Sequence, residues 1–202
     1  MIGIEKDILL LISRVRCITE TQVGKVFGTR RRYTVKPFKK TLRKMCNDYT
    51  LKKYPCNINY CGYRDNSYVY YLNGGKTYKG KDLEKVIIGS ELVIKINLAG
   101  GQVKRFYRNV KVDKTNYDIF IEYIDPCNVI KQVLVDIDLD NSFDISKYRD
   151  LDIKIKNSTI PFVKVPKVLI ITSSCIKQDR ISNIDCDLSF IDTSLDKLFK
   201  NI

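Results

Sequence analysis

Residues 19–47 read TETQVGKVFGTRRRYTVKPFKKTLRKMCN, and this stretch decides the organisation of the first part of the chain. Thr19-Glu20-Thr21-Gln22 is a T-x-x-Q capping box, in which the Thr and Gln side chains satisfy backbone donors at a helix start. The helix it opens carries Val23, Val26 and Phe27 and stops at Gly28. The segment TRRRYTVK has no apolar period and reads as a connecting turn. A further helix is predicted from near Lys36 to Asn47. Phe38, Leu42 and Met45 recur at i, i+4 and i+7, one buried stripe, and Pro37 suits a first turn. Lys36, Lys39, Lys40, Arg43 and Lys44 lie largely away from that stripe.

Working outward, IEKDILLLISRV (4–15) places Ile4, Ile8, Leu11, Ile12 and Val15 at the 3.6-residue period of an amphipathic helix. On the other side, LKKYPCNI and SYVYYLN are rich in β-formers and flank the polar loop NYCGYRDN, which predicts a β-hairpin closed by Asn73-Gly74-Gly75. Three helices followed by a hairpin is the order of a winged helix-turn-helix, expected over residues 1–80. Residues 81–98, KDLEKVIIGSELVIKINL, read as a helix ended by Gly100-Gly101, and 81–101 is expected to link the two parts or to open the second.

Beyond it the texture becomes strand-like. NYDIFIEYID and VIKQVLVDIDL alternate or run apolar around an Asp125-Pro126-Cys127-Asn128 turn, and are expected to pair as a hairpin. FDISKYRDLDIKIKN is expected to form a helix starting near Ser142. VPKVLIITSS reads as a buried strand, CIKQDRISNI as the start of a helix, and DLSFIDTSLDKLF as a last strand and short helix. The expected class is α+β or α/β, with a mixed sheet in residues 102–202.

Charge is also divided unevenly along the chain. The 202 residues carry a net charge of +13. Residues 1–116 hold 25 Lys and Arg against 9 Asp and Glu, a net of +16, and residues 117–202 hold 11 against 14, a net of −3. Such asymmetry points to a nucleic-acid-binding part joined to a part with another task. A lysine-rich genome would spread the charge evenly. No apolar run approaches the ~20 residues of a membrane span, and the start, MIGIEKD, lacks the pattern of a secretory signal. The expectation is a cytoplasmic protein with no membrane partner.

Seven cysteines without a CxxC pair, in a chain with no histidine, argue against zinc and for reduced thiols. The same lack of histidine excludes histidine-dependent nucleophilic triads. Gly74-Gly75-Lys76-Thr77 lacks the spacing and leading strand of a phosphate-binding loop.

Two residue sets carry chemistry. The first is the basic helix with Arg30, Arg31 and Arg32 before it. Lys and Arg attract phosphates whatever the sequence, and a helix fits the major groove. Arg43 is the best placed to read a base, with Lys36, Lys39, Lys40 and Lys44 on phosphates. Arg64, with Tyr60 and Tyr63 in the hairpin loop, is a further candidate for contact with the adjacent backbone or minor groove. The competing reading is a solvated surface helix and a polar loop. The second set is Asp118, Asp136, Asp138 and Lys147. Asp136 and Asp138, two apart on a strand, point to one face. Asp118 and Asp136 are the candidate ligands of a Mg²⁺ ion that would activate water against a phosphodiester. The competing reading is strand-end solvation and helix capping, with Asp140 or Ser142 as a cap.

The segments ILLLISRVRCITETQVGKVFG, FKKTLRKMCNDYTLKKY and YVYYLNGGKTY, then KDLEKVIIGSELVIKI, DIFIEY, VLVDIDLDNSFDISKY and VLIITSS, resemble in order and spacing the replication-relaxation family of plasmid and mobile-element proteins. The resemblance covers most of residues 4–180. It implies a winged helix that binds double-stranded DNA in replication, transfer or control of a plasmid, phage or other mobile element. It also implies a second half like a restriction endonuclease, with Asp118, Asp136 and Asp138 at the active-site positions. A working nuclease of that fold would carry Lys where Asp138 stands. Lys147 lies on the next predicted helix, and the linker helix has no histidine. The resemblance therefore implies a degenerate nuclease-like half, serving as scaffold or homodimer unit. A metal-dependent nickase and a dimeric transcriptional repressor are the rival expectations.

Overall fold

Thr19 sits where the first part of the chain turns from strand to helix, and its hydroxyl and backbone make both bonds of the expected capping box with Gln22, each 3.1 Å long. In the computed structural model, which describes residues 3–28, 37–60, 62–140, 142–173 and 186–202, α1 (Ile4–Val15) precedes β1 (Cys17–Thr19), α2 (Glu20–Phe27) and α3 (Pro37–Asn47). Then come β2 (Leu51–Pro55), β3 (Ile58–Tyr60), β4 (Tyr63–Asp65), β5 (Tyr68–Leu72) and α4 (Gly80–Leu98). The expected pairing of LKKYP with YVYYL is present, antiparallel from Leu51 opposite Leu72 to Pro55 opposite Tyr68. It is joined by a strand the sequence reading did not contain. β1 pairs antiparallel with β5 on its other side, giving the order β1-β5-β2. The polar loop between β2 and β5 holds its own small hairpin, β3 with β4.

The core of this part follows the predicted stripes. Ile8, Ile12 and Val15 of α1, Val23 and Phe27 of α2, and Phe38, Leu42 and Met45 of α3 are all buried. Gly24 is what lets α2 and α3 approach: a Cβ there would lie 3.3 Å from the Phe38 ring.

The helix at 81–98 forms as expected, one residue longer, but it belongs to the first compact unit. That unit runs Met1–Leu98, and the second Ala99–Ile202. The helix buries Leu83, Val86, Ile87, Ile88, Leu92, Val93, Ile94 and Ile96, and polar bonds fix its place. Ser90 Oγ donates to Cys17 O at 2.8 Å, and Gln22 Nε2 donates to Ile87 O at 3.0 Å and to Glu91 Oε2 at 2.9 Å. These bonds tie α4 to β1 and α2, so it is no free linker.

The second unit is a five-stranded mixed sheet of order β10-β9-β8-β7-β6. β6 (Gln102–Val112), β7 (Thr115–Ile124) and β8 (Ile130–Asp138) run antiparallel, and β9 (Lys167–Thr172) and β10 (Leu188–Asp192) continue parallel to β8. The β7–β8 turn is built by Asp125, whose Oδ1 accepts from Cys127 N and Val129 N, both at 2.9 Å. The long crossover from β8 to β9 covers one face of the sheet. The single helix expected from Ser142 is instead a 3-10 turn (Ile145–Tyr148) and a short α5 (Leu151–Lys156). Asp150, in the left-handed region at φ 54°, breaks the two apart. Phe120, Leu134, Val168 and Ile170 from the sheet pack with Tyr148 and Leu151 from the crossover in one core cluster. The chain ends in α6 (Leu198–Asn201). The helix expected at CIKQDRISNI lies mostly outside the described residues. No helix among those described is long and apolar enough to cross a membrane.

Candidate nucleic-acid interface and aspartate cluster

The basic helix α3 is oriented by its apolar stripe. With Phe38, Leu42 and Met45 buried at a 100° advance per residue, Lys40, Arg43 and Asn47 fall on the opposite side and all three are exposed. Lys39 and Lys44 occupy the flanks. Lys39 Nζ lies 2.5 Å from Glu20 Oε1 of α2, and Lys44 Nζ lies 2.6 Å from Glu5 Oε1 of α1. The hydrogen bond and charge of Glu5 raise the Lys44 pKa above its usual value. The five predicted cations thus differ in kind. Two are engaged with neighbouring helices, and Lys40 and Arg43 form the outward ridge. Arg30, Arg31, Arg32 and Lys36 lie outside the described residues.

The β3–β4 hairpin is held by side chains. Tyr60 Oη donates to Asp65 Oδ2 at 3.2 Å and lies 3.3 Å from Thr19 Oγ1, and Tyr63 Oη donates to Tyr60 Oη at 2.6 Å. Burial would raise the Asp65 pKa, but hydrogen bonds from Ser67, Thr19 and Thr21 outweigh it and hold the carboxyl below its ordinary value. Arg64 projects from this anchored base. It is exposed, with Nε on Asn66 Oδ1 at 3.1 Å. Behind the hairpin, Lys25 Nζ reaches Glu91 Oε1 at 2.6 Å, where the carboxylate is almost completely buried, and sits over the Tyr63 ring. Burial alone would lower the Lys25 pKa, but the bond to Glu91 and its charge raise it overall. Sequence reading missed this network. Its one signal was a carboxylate, Glu91, inside the apolar run VIIGSELVIKI.

The aspartates gather at the end of β8 where β7 and β8 part. The last paired residues there are Ile119 and Val135. Asp118 and Asp136 then replace the missing ladder with side chains: Asp118 N donates to Asp136 Oδ1 at 3.3 Å, and Ile137 N donates to Asp118 Oδ2 at 2.7 Å. Asp136 is buried, and its Oδ2 accepts from Lys147 Nζ at 2.6 Å and from Tyr148 Oη at 2.5 Å. Burial and the Asp136 charge push the Tyr148 phenol far up, so it remains a donor. Lys147 also lies 4.8 Å over the Tyr117 ring.

Asp138 shares the face of Asp136 but not its partners. Its Oδ1 accepts from Ser142 N at 3.0 Å, from Ser142 Oγ and from Asp140 N, which shapes the turn after β8. Its Oδ2 is buried without a hydrogen-bond partner among the described residues. The cap expected at Asp140 or Ser142 is instead Asp144, whose side chain accepts from Ser146 N at the start of the 3-10 turn.

The structure thus brings Asp118, Asp136 and Lys147 together and turns Asp138 to another task. Mg²⁺ needs several oxygen ligands converging at ~2.1 Å. Here one Asp136 oxygen is taken by an ammonium and a phenol, and one Asp118 oxygen is on a backbone donor. Among the described residues no three acidic, cysteine or histidine side chains group as metal ligands. In this arrangement the carboxylates do not offer Mg²⁺ a converging set of open oxygens. Comparison of the chain with family models, with curated proteins and with solved structures returned no match.

Proposed function

We infer that the protein binds double-stranded DNA through α3, held in a winged-helix arrangement by α2 and the β1-β5-β2 sheet. The observation that carries this reading is the ridge of Lys40, Arg43 and Asn47, exposed directly opposite the buried stripe of the same helix. A helix of this kind fits the major groove, and Arg can pair two donors with a guanine edge while Lys meets phosphate. Lys39 and Lys44, whose own side chains are exposed, join the contact by exchanging their partly buried carboxylate partners for phosphate. Arg64, on the anchored hairpin, contacts the flanking backbone.

The resemblance to replication-relaxation proteins extends this reading to a DNA-binding protein of a plasmid, phage or other mobile element, acting in its replication, transfer or control. In that reading the second unit is a degenerate nuclease-like scaffold. Its support is the ion pair that occupies the aspartate cluster.

Selection of binding sites from a random duplex pool by the full chain tests the reading. An enriched motif is expected. Arg43→Ala should relax one position of it, and Lys40→Ala should weaken all sequences alike. Equal recovery of every sequence by wild type and both variants would reject it.

A further inference from the structure

Net positive charge in the second unit is confined to one stretch. Residues 102–116, which are β6, the turn and the first two residues of β7, carry Lys104, Arg105, Arg108, Lys111 and Lys114 against the single carboxylate of Asp113. Residues 117–202 have a net charge of −3. β6 is the outer strand of the five-stranded sheet among the described residues, bonded to β7 on one side. It is 11 residues long, an edge of about 36 Å at the usual strand rise.

Aromatic rings interleave with these cations. Tyr107 is 47% exposed although it stacks on Phe120, with ring centroids 6.0 Å apart and planes 17° from parallel. On the other face of the strand the Arg108 guanidinium lies 4.9 Å over the Phe106 ring. Lys104, Lys111 and Lys114 are exposed, and Arg105 is tied to Glu122 at 3.4 Å.

We propose that the β6 edge binds single-stranded nucleic acid, with Tyr107 as a platform for a base and Lys104, Lys111 and Lys114 along the phosphates. Cations on a strand edge also serve to block edge-to-edge pairing. That purpose is met by one or two charges and is opposed by an exposed aromatic ring. A ring fixed by a second ring beneath it, with cations spread over about 20 Å of strand, is instead what sequence-tolerant stacking and backbone tracking require. The same charge disfavours a second copy of this edge as the partner, because each edge carries five cations against one carboxylate. The surface belongs to the second unit and does not depend on the duplex reading.

The test is anisotropy of fluorescein-labelled oligo(dT), which cannot form a duplex, titrated with the full chain. Four variants are compared with wild type: Tyr107→Ala, Tyr107→Phe, the triple Lys104→Ala/Lys111→Ala/Lys114→Ala, and Lys40→Ala/Arg43→Ala on α3. Tyr107→Ala should weaken binding by about fivefold or more, and Tyr107→Phe, which keeps the platform, should not. The triple variant should flatten the salt dependence by about two in slope. The α3 variant should bind oligo(dT) as wild type does, whatever happens to duplex binding. The triple variant, confined to exposed side chains, keeps the test open if Tyr107→Ala unfolds. Wild type that does not bind oligo(dT), or β6 variants that bind it unchanged, would overturn the proposal. So would loss of binding in the α3 variant alone.

Discussion

Lys147 Nζ stands 2.6 Å from Asp136 Oδ2. The pair is inside the fold, with the Asp136 side chain 8% exposed and that of Lys147 28%. An ion pair here fixes the crossover against β8 and leaves the carboxylate engaged.

Breaking that pair from one side should cost more than removing it. Lys147→Met leaves the buried Asp136 carboxylate with only neutral donors, Tyr148 Oη and Asp118 N, and a loss of about 2–4 kcal/mol is expected in urea unfolding. Asp136→Asn/Lys147→Met should be more stable than the two single losses added together predict. Strict additivity would show that the two groups do not stabilise one another.

Supercoiled plasmid incubated with the protein and Mg²⁺ or Mn²⁺ should remain supercoiled, and Asp136→Ala should behave as wild type. Nicking that disappears in Asp136→Ala and persists in a folded Asp152→Ala control would restore a catalytic role to the cluster.

The Lys25–Glu91 pair makes a prediction at high pH. The folded Lys25 has a raised pKa, so its contribution is complete below the unfolded value near 10.5 and is lost as pH rises through the folded one. The Tm difference between wild type and Glu91→Gln should therefore hold constant from pH 7 to 10 and shrink above that. A difference that shrinks already between pH 7 and 9 would place the stabilisation elsewhere.

Asp65 has the opposite sign. Its folded pKa is lowered from 3.8, so its contribution is present above that value and disappears as pH falls through the folded one. Asp65→Asn should be less stable than wild type at pH 6, with the gap closing in acid below about pH 3.8. A gap independent of pH would mean that the carboxylate's charge is not what Thr19, Thr21, Tyr60 and Ser67 recognise.

Much of the frame was legible in the sequence because it is written in local signals. Thr19 and Gln22 are three residues apart, the α3 stripe has one period, and Asp125 builds its turn within five residues. What was not legible depends on distant partners. β1 is three residues long and buried at each, so it shows no alternation, and it exists because β5 offers it an edge. The break at Asp150 needs a backbone angle that periodicity does not encode. At the candidate sites, sequence grouped Lys39 and Lys44 with Lys40 and Arg43, because Glu20 and Glu5 come from other helices. It likewise grouped Asp138 with Asp136 from strand alternation, although Ser142 draws Asp138 into a turn.

The measurement closest to the central claim is binding of a labelled duplex by the full chain across a salt series, with wild type beside Lys40→Ala/Arg43→Ala. If α3 is the DNA face, log K should fall with log[salt] at a slope of roughly −3 to −6. The variant should bind more weakly with a slope flatter by about two. Equal affinity and equal slope in the two proteins would contradict the account.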